Sequence, residues 1–384
     1  MRLSTLFGAL SPQLSMALDV GSYSIKAVTF QSNGRTSPPW VAKKMTAKLP
    51  VSADPLRMVS KLHEFLFDAA KELGKVPEKI TIGIGPSLAE FSLVTHVIPI
   101  APARGTISRK EFADYFKTII QQNTDAERYM IAFPVGIYAN GYPIHPIVFA
   151  GSDASMVKEI SFSLLIADIP QKVAEAFEQT QKMLGGIQIE FVPIAGAYQE
   201  VLQKVLKMQD AFLIDVGENH TFLMLVKEGI VVAVSVFPSG MHQFVSAIAE
   251  ERDISLEEGE RVKRHYTDGL LKSAKSADVR EICTRETVVW KAKFLDALAP
   301  FYRAGPLPED VILCGGGAQM PEIRAAILES EWIKNFSYVD KPRVRVLEAR
   351  GIFEGDSLGG FLQGPEECGL ASLIIYSMHH EPIF

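Results

Sequence analysis

Three features are scarce or missing in this 384-residue sequence, and each excludes a class of protein. It has only three cysteines, whose odd number and wide spacing match neither a disulfide framework nor a zinc site, as expected for a reducing cytoplasm. Lysine and arginine total 39 against 45 aspartates and glutamates, so a net charge of -6 argues against nucleic acid as the main partner. No uninterrupted apolar run reaches the roughly 18 residues of a membrane-spanning helix, so we expect no transmembrane segment.

Two common kinds of active-site signature are missing as well. The sequence contains neither a Gly-x-Ser-x-Gly motif nor a cysteine and histidine arrangement that would indicate acyl transfer. Its histidines show no metal-ligand spacing, so we interpret most of them as surface or packed side chains. The exception is His220, which lies in a polar loop between two apolar stretches and is therefore a candidate for contact with a ligand or a reacting water.

The sequence is organised around residues 211–237. Branched and aromatic residues fill this stretch and two polar turns interrupt it, which predicts a meander of adjacent strands. Asp215 ends the first strand, and Gly217 allows a sharp turn before the polar residues 218–221. A carboxylate beside a turn of exposed amides suits a magnesium–phosphate group, because the amides bind phosphate oxygens and the acid binds the metal or its waters.

The same order of strand, Asp-Val-Gly, polar turn and strand occurs earlier, in residues 15–30. Here the acid is Asp19, the glycine is Gly21, and the second strand contains Lys26. Two such hairpins in one chain predict two halves that face one bound nucleotide.

The remaining pattern predicts alternating strands and helices around these hairpins. The predicted strands are 40–50, 79–85, 91–100, 128–136, 137–147, 157–167, 187–192 and 310–314, and the predicted helices are 55–73, 108–120, 170–184, 241–251, 255–264 and one beginning near Pro321. Residues 185–186 are expected to end a helix, and we interpret residues 1–14 as a packed terminus rather than an interfacial anchor. The triple glycine at 315–317 would let a flat base or a phosphate lie against backbone.

The two hairpins resemble the phosphate loops of the superfamily of actin, sugar kinases and large heat-shock chaperones. The first loop matches this pattern through Asp19, Gly21, Ser22, Ser24 and Lys26. The second loop matches it through an acid, a glycine and a threonine, but it has Glu218, Asn219 and His220 where the family has glycines and hydroxyls; the residues that match are Asp215, Gly217 and Thr221. Because bulky side chains and a negative charge there would hinder close approach to the γ-phosphate, we expect slow hydrolysis at most.

Further phrases resemble the group formed by FtsA, a cell-division protein, and PilM, a pilus-assembly protein. They are residues 131–136, 141–151, 192–198 and 255–264. The resemblance implies an α/β, actin-like (ribonuclease H-like) two-domain ATPase fold with a small α+β insertion in the first domain. The expected parts are a first domain of residues 1–85 and 170–210, an inserted subdomain of residues 86–169, a second domain of residues 211–363, and a closing helix in residues 364–384 that packs on the first domain.

The resemblance also implies a site for ATP and magnesium between the two domains. Asp19 and Asp215 would bind the metal through water, and together with His220 they are the candidates for a catalytic role. The expected nucleotide-binding residues are Gly21, Ser22, Tyr23, Ser24, Lys26, Gly217, Glu218, Asn219, Thr221, Gly240, Glu260, Lys263, Gly315, Gly316 and Gly317. Glu260 and Lys263 are three positions apart on one helical face and would bracket the ribose or the base.

The function implied by this resemblance is that of a scaffold at the cytoplasmic face of the inner membrane, attached through a partner. The partner would be the cytoplasmic tail of a membrane protein or a tubulin-like division protein, and self-association into filaments is compatible with the fold. FtsA-like cell division and PilM-like pilus or secretion assembly both remain open. Two alternatives are a sugar or small-acid kinase on the same fold, and a degenerate scaffold that binds no nucleotide.

Overall fold

The computed structural model describes residues 13–32, 40–49, 54–74, 77–101, 105–122, 128–144, 149–183, 187–328, 334, 336–337, 340–353 and 357–379. The predictions for residues 1–12, 185–186 and 380–384 lie outside these ranges.

The first domain is built on a five-stranded sheet with the order β3-β2-β1-β4-β9. Its strands are β1 (Gln13–Val20), β2 (Ser24–Ser32), β3 (Trp40–Lys48), β4 (Lys79–Ile84) and β9 (Gln188–Pro193). The first three form an antiparallel meander, and β4 and β9 add on the other side of β1 as parallel strands. The antiparallel strands β1 and β2 are joined by a short turn, whereas the parallel strands are joined by longer crossover connections.

The second domain repeats this arrangement in the sheet order β12-β11-β10-β13-β14. Its strands are β10 (Ala211–Val216), β11 (Thr221–Lys227), β12 (Ile230–Phe237), β13 (Asp310–Cys314) and β14 (Arg343–Val346). Again an antiparallel meander comes first and two parallel strands follow. The two predicted hairpins therefore occupy equivalent places in two sheets of the same topology.

A third, antiparallel sheet with the order β5-β8-β6-β7 interrupts the first domain between β4 and β9. Its strands are β5 (Glu90–Pro99), β6 (Arg128–Ala139), β7 (Tyr142–Pro143) and β8 (Glu159–Pro170). One face packs on a helix whose N-terminus has a capping box, in which the Ser108 and Glu111 side chains each accept from the other residue's backbone N–H. We call this unit the inserted subdomain.

Ten α-helices within the described residues surround the sheets. They are α1 (Pro55–Leu73), α2 (Arg109–Gln122), α3 (Gln171–Met183), α4 (Ile194–Glu200), α5 (Met241–Arg252), α6 (Leu256–Thr267), α7 (Ser273–Ala297), α8 (Pro321–Leu328), α9 (Ala349–Ile352) and α10 (Cys368–His379). Helix α4 continues directly into a π-helical turn, Val201–Val205.

The main core lies between the inner faces of the two five-stranded sheets. Ala17 and Phe30 of the first sheet and Leu213 and Met224 of the second belong to one buried cluster with helix α4 and the closing helix α10. Helix α10 is apolar almost all round, and its residues from Cys368 to Tyr376 are buried. A helix of this kind is stable only inside a protein core, so the end of the chain completes the first domain.

Most predicted elements are present, and one prediction was wrong. The predicted division between two strands near Gly136 is absent, because β6 runs without a break to Ala139. Residues 145–147 of the second predicted strand lie outside the described ranges. The strand accommodates Pro134 and Gly136 through a register shift against β8 at this point. A bulge is where a strand tolerates a proline, since one ladder hydrogen bond is already missing there.

Candidate functional site

A cleft of about 970 Å³ separates the two domains. Both phosphate-loop hairpins line it, together with helix α6 and the chain preceding α10. Of the residues named from the sequence, those that line the cleft are Asp19, Gly21, Ser22, Tyr23, Ser24, Lys26, Asp215, Gly217, Glu218, His220, Glu260, Lys263, Gly315 and Gly316. Its volume is that of a typical small-ligand site.

Strand alternation brings the two aspartates to the same space. Asp19 is two residues beyond Ala17 on β1, and Asp215 is two residues beyond Leu213 on β10. Residues two apart point to the same face of a sheet, and both Ala17 and Leu213 belong to the core between the sheets. The carboxylates therefore extend from the two inner faces into the cleft.

The two hairpin turns are closed by the same backbone hydrogen bond. The Gly21 N–H donates to the Ser24 carbonyl at 3.1 Å, and the Gly217 N–H donates to the His220 carbonyl at 3.0 Å. At Gly217 a Cβ atom would lie only 3.0 Å from that carbonyl oxygen. The loops are thus equivalent in conformation as well as in position.

Lys26 supplies the positive charge between the aspartates. It lies directly opposite Asp19 in the β1–β2 register, and its Nζ donates to the backbone carbonyl of Glu366. Burial raises the pKa of Asp19, and the charge of Lys26 opposes this shift. In the second domain the equivalent position, opposite Asp215, is Phe222. The charge of Lys26 therefore favours the ionised form of both aspartates.

Asp215 is held in place on both sides. The Tyr198 hydroxyl donates to Oδ2 at 2.7 Å, and Oδ1 lies where a Cβ on Gly315 would be only 2.2 Å away. Gly315 has a φ of +84°, so both its conformation and its contact favour glycine. Burial raises the pKa of Asp215 to about 6; the Tyr198 hydrogen bond opposes this increase, the charge of Asp19 adds to it, and Lys26 opposes it.

Asp19, the acid of the first sheet, lies beside Gly369. A Cβ on Gly369, in the first turn of α10, would lie 3.1 Å from Asp19 Oδ2. The N-terminal end of a helix carries partial positive charge, which favours a nearby carboxylate. The closing helix therefore contributes directly to the surroundings of Asp19.

Glu260 and Lys263 lie together on helix α6 and both line the cleft. Their Oε2 and Nζ atoms are 2.8 Å apart, and Lys263 is buried. Arg264 also approaches Glu260, at 3.4 Å. The predicted shared face of this helix is therefore present and lines the cleft.

Four of the residues named from the sequence do not line the cleft, and three of them have structural roles that explain their positions. Those four are Asn219, Thr221, Gly240 and Gly317. The Thr221 hydroxyl is fully buried, donates to the Ser239 carbonyl at 2.7 Å and accepts from Trp290 Nε1 at 3.0 Å. The expectation that this hydroxyl holds phosphate is therefore corrected, because both of its hydrogen-bonding functions are used in the core.

Gly240 and Gly317 are likewise packed against protein rather than against open space. A Cβ on Gly240 would lie 2.5 Å from the carbonyl oxygens of Gly217 and Glu218. The amides of Met241 and His242, at the start of α5, donate to those same carbonyls at 3.0 and 2.9 Å. A Cβ on Gly317 would lie 2.4 Å from a Val216 methyl. These glycines shape the second loop from behind, which corrects their assignment to direct contact with a ligand.

His220 and Glu218 extend into the cleft from the second loop. Burial lowers the pKa of His220, and its Nδ1 finds no hydrogen-bond partner within the described ranges. Burial raises the pKa of Glu218, which Lys263 opposes, while His242 lies 3.7 Å away. At neutral pH the loop thus presents an uncharged imidazole and an acid, where a glycine-rich loop would present only amides.

The arrangement fits a magnesium–phosphate group but not a metal held by protein alone. Throughout the described ranges, no group of three or more His, Cys, Asp or Glu side chains is arranged to bind a metal ion. Magnesium commonly keeps several waters and uses one or two carboxylates together with substrate phosphates. Asp19 and Asp215 provide that number of carboxylates, and a cation between them would offset the repulsion that raises the Asp215 pKa.

Sequence reasoning missed three side chains at this site. Tyr198 ends a phrase that carried the family resemblance, but nothing local indicated that its hydroxyl reaches Asp215. Lys44 on β3 contacts Glu367 and also donates to the Phe361 carbonyl at 3.0 Å. Both Lys44 and Glu367 line the cleft, yet their pairing joins distant parts of the chain and leaves no short-range pattern.

The two repeated sheets, the paired hairpins and the cleft between them define an actin-like ATPase fold, which confirms the fold class predicted from the sequence. Among solved structures, the chain is similar to PilM in the PilM–PilN type IV pilus biogenesis complex, with 17% identity over 96% of this chain and 99% of that one and a TM-score of 0.63. It is also similar to the ethanolamine utilization protein EutJ from Carboxydothermus hydrogenoformans, with 13% identity over 97% and 93% of the two chains and a TM-score of 0.50.

No protein-family model and no curated protein matches the sequence. The similarity to solved structures shows an actin-like ATPase fold that resembles the fold of PilM. Within the described ranges no helix is both long enough and apolar enough to cross a membrane.

Proposed function

We propose that this chain binds ATP with magnesium between its two domains and acts as a nucleotide-dependent assembly protein. The observation that carries the proposal is the convergence of two equivalent Asp-Val-Gly hairpins, with the single Lys26, on one cleft. The hairpin amides would bind phosphate oxygens, Asp19 and Asp215 would bind the waters of the metal, and Lys26 would neutralise phosphate charge.

The nucleoside would lie toward helix α6. Gly316 lines the cleft, and a Cβ there would meet no atom within 4 Å, so its backbone is open to a flat ligand. Glu260 and Lys263 form an ion pair that also lines the cleft and would offer an acceptor and a donor to a ribose or a base edge. Glu218 near the phosphates argues for slow hydrolysis, because its charge would repel a γ-phosphate.

We further propose that nucleotide binding controls assembly with the cytoplasmic tail of a membrane protein, in pilus or secretion assembly, at the cytoplasmic face of the inner membrane. The support is similarity in fold to PilM, which occurs in a complex with PilN. An FtsA-like role in cell division, with a tubulin-like partner or filaments of the chain itself, is the alternative within the same class.

Calorimetry of ATP binding with and without magnesium tests the proposal. Asp19→Asn and Asp215→Asn should each weaken binding in the presence of magnesium by about tenfold or more, because each removes a metal-directed charge. Asp296→Asn, at an exposed position on α7 outside the cleft, is the matched control and should bind as the unaltered chain does. If the unaltered chain shows no binding, the chain is a nucleotide-independent scaffold.

A second assay separates the assembly protein from a kinase. ADP release should stay equally slow when sugars and small organic acids are added one by one. Turnover that depends on one of these compounds would replace the scaffold proposal with a kinase of the same fold.

A further inference from the structure

The hydrogen bond from Tyr198 to Asp215 crosses the boundary between the two domains. Tyr198 lies on helix α4, which directly follows β9 of the first sheet, whereas Asp215 ends β10 of the second sheet. The distance of 2.7 Å is that of a strong hydrogen bond between a hydroxyl and a carboxylate. A residue of the first domain therefore determines where an acid of the second domain stands.

Helix α4 leaves Tyr198 little freedom to move. The tyrosine is 1% exposed, and its neighbour Gln199 donates to two backbone carbonyls, that of Val135 at 3.0 Å and that of Gly229 at 2.8 Å. These carbonyls belong to the inserted subdomain and to the second domain. The helix is thus tied on three sides, and the hydroxyl has a fixed position from which to donate.

The opposite side of the Asp215 carboxylate is also bounded. Its Oδ1 lies against Gly315 so closely that no Cβ could be present there. With Oδ2 bound by Tyr198 and Oδ1 limited by the Gly315 backbone, rotation of the carboxylate is restricted. Preorganisation of this kind matters most for magnesium, which requires near-octahedral geometry.

We propose that Tyr198 is a positioning residue for the metal–phosphate group, holding the Asp215 carboxylate in the orientation that a magnesium–nucleotide complex requires. The inference rests on the proposed function, since it presupposes that Asp215 faces a nucleotide-bound metal. It goes further by assigning to the first domain a residue that positions the acid of the second domain. The metal site is then complete only when the two domains are docked so that Tyr198 reaches Asp215.

A second tyrosine provides a matched control. The Tyr376 hydroxyl donates to Glu190 Oε1 at 3.0 Å, and Tyr376 is 3% exposed. Its partner acid does not line the cleft. Replacing either tyrosine with phenylalanine removes one hydroxyl that is bound to a carboxylate in a buried setting, but only Tyr198→Phe touches the proposed metal site.

The experiment is calorimetric titration of the full chain with ATP, once with magnesium and once with a chelator. Tyr198→Phe should weaken binding with magnesium about tenfold, as expected for loss of an outer-shell hydrogen bond, and change binding without metal less than about twofold. Tyr376→Phe should leave both affinities unchanged.

Manganese, which is larger and tolerates looser geometry, should recover part of the loss in Tyr198→Phe. Circular dichroism checks folding, and Tyr198→Met replaces the first variant if that one does not fold.

Each outcome decides the inference. A Tyr198→Phe affinity equal to that of the unaltered chain overturns it and leaves the proposed function standing. Equal losses with and without magnesium also overturn it, because they indicate a general structural role. Absence of ATP binding by the unaltered chain overturns both proposals together.

Discussion

At the scale of single residues, the site is defined by buried carboxylates whose ionised forms are destabilised unless a cation lies nearby. Asp215 is buried, lies near a second acid and has its pKa raised to about 6, and the pKa values of Asp19 and Glu218 are raised by burial as well. Strained or repulsive groups of this kind are typical of sites evolved for a ligand rather than for stability. The stability of the chain should therefore depend on pH in a way that can be measured.

We expect the ligand-free chain to lose stability as the pH rises from about 4 to 6. The folded-state pKa of Asp215 lies above its ordinary value of 3.8, so in this window the folded chain holds more protons than the unfolded chain, and raising the pH favours unfolding. The contribution is on the order of 2–3 kcal/mol. Thermal unfolding of Asp215→Asn should show a correspondingly smaller decrease between pH 4.5 and 7, whereas the exposed-site variant Asp296→Asn should follow the unaltered chain. An identical pH profile for Asp215→Asn would contradict the expectation.

The acids could be predicted from the sequence at this scale, and Tyr198 could not. An aspartate followed by a glycine at the end of an apolar run carries its own signal, because the turn and the charge are local. The partner of the Tyr198 hydroxyl depends on how two domains dock, and no spacing within the chain encodes that contact.

At the scale of elements, the second hairpin differs from the first in how it is supported. Helix α5 binds its carbonyls from behind, and Thr221 is joined to Ser239 and Trp290 in the core. The sequence predicted the hairpin itself correctly, since alternating apolar strands around a glycine turn are a local pattern. The sequence also suggested that the Thr221 hydroxyl contacts the ligand. That expectation failed because the direction of a side chain at the start of a strand depends on the register of the strand, which the loop alone does not determine.

Thr221→Val should therefore lower stability without changing the affinity for ATP. Two buried groups, the Ser239 carbonyl and the Trp290 indole, lose a hydrogen-bond partner, at a cost of about 1–3 kcal/mol. Chemical denaturation measures the first effect and calorimetry the second. Thr284→Val is the control, because the Thr284 hydroxyl is exposed and donates only within its own helix, to Arg280 at 2.8 Å. A tenfold loss of affinity in Thr221→Val would restore the original assignment to the phosphate site.

At the scale of the whole molecule, three units meet at one glutamine. Gln199 belongs to the first domain and donates to the inserted subdomain at Val135 and to the second domain at Gly229. The repetition of the hairpins predicted two halves around one nucleotide, and the resemblance to the FtsA and PilM group implied the insertion. The contacts that fix these units relative to one another are long-range, so no local pattern predicted that the inserted subdomain also contacts the second domain.

Gln199→Leu should loosen the inserted subdomain specifically. It leaves the Val135 carbonyl without its side-chain donor, whereas the Gly229 carbonyl keeps a second donor, Gln203. Hydrogen–deuterium exchange should become faster in β6 and β8. The matched variant Gln203→Leu, whose side chain donates to Gly229, should leave those strands as protected as in the unaltered chain. Equal exchange in both variants would show that Gln199 does not couple the units.

The closing helix has a consequence for how the chain is made. The first domain needs residues 368–379 to cover the inner face of its sheet, yet the ribosome synthesises the whole second domain before it reaches them. At about 5–20 residues per second, the delay is on the order of ten seconds. During co-translational folding the amino-terminal domain is therefore finished last, and the apolar face of its sheet stays uncovered by this helix in the meantime.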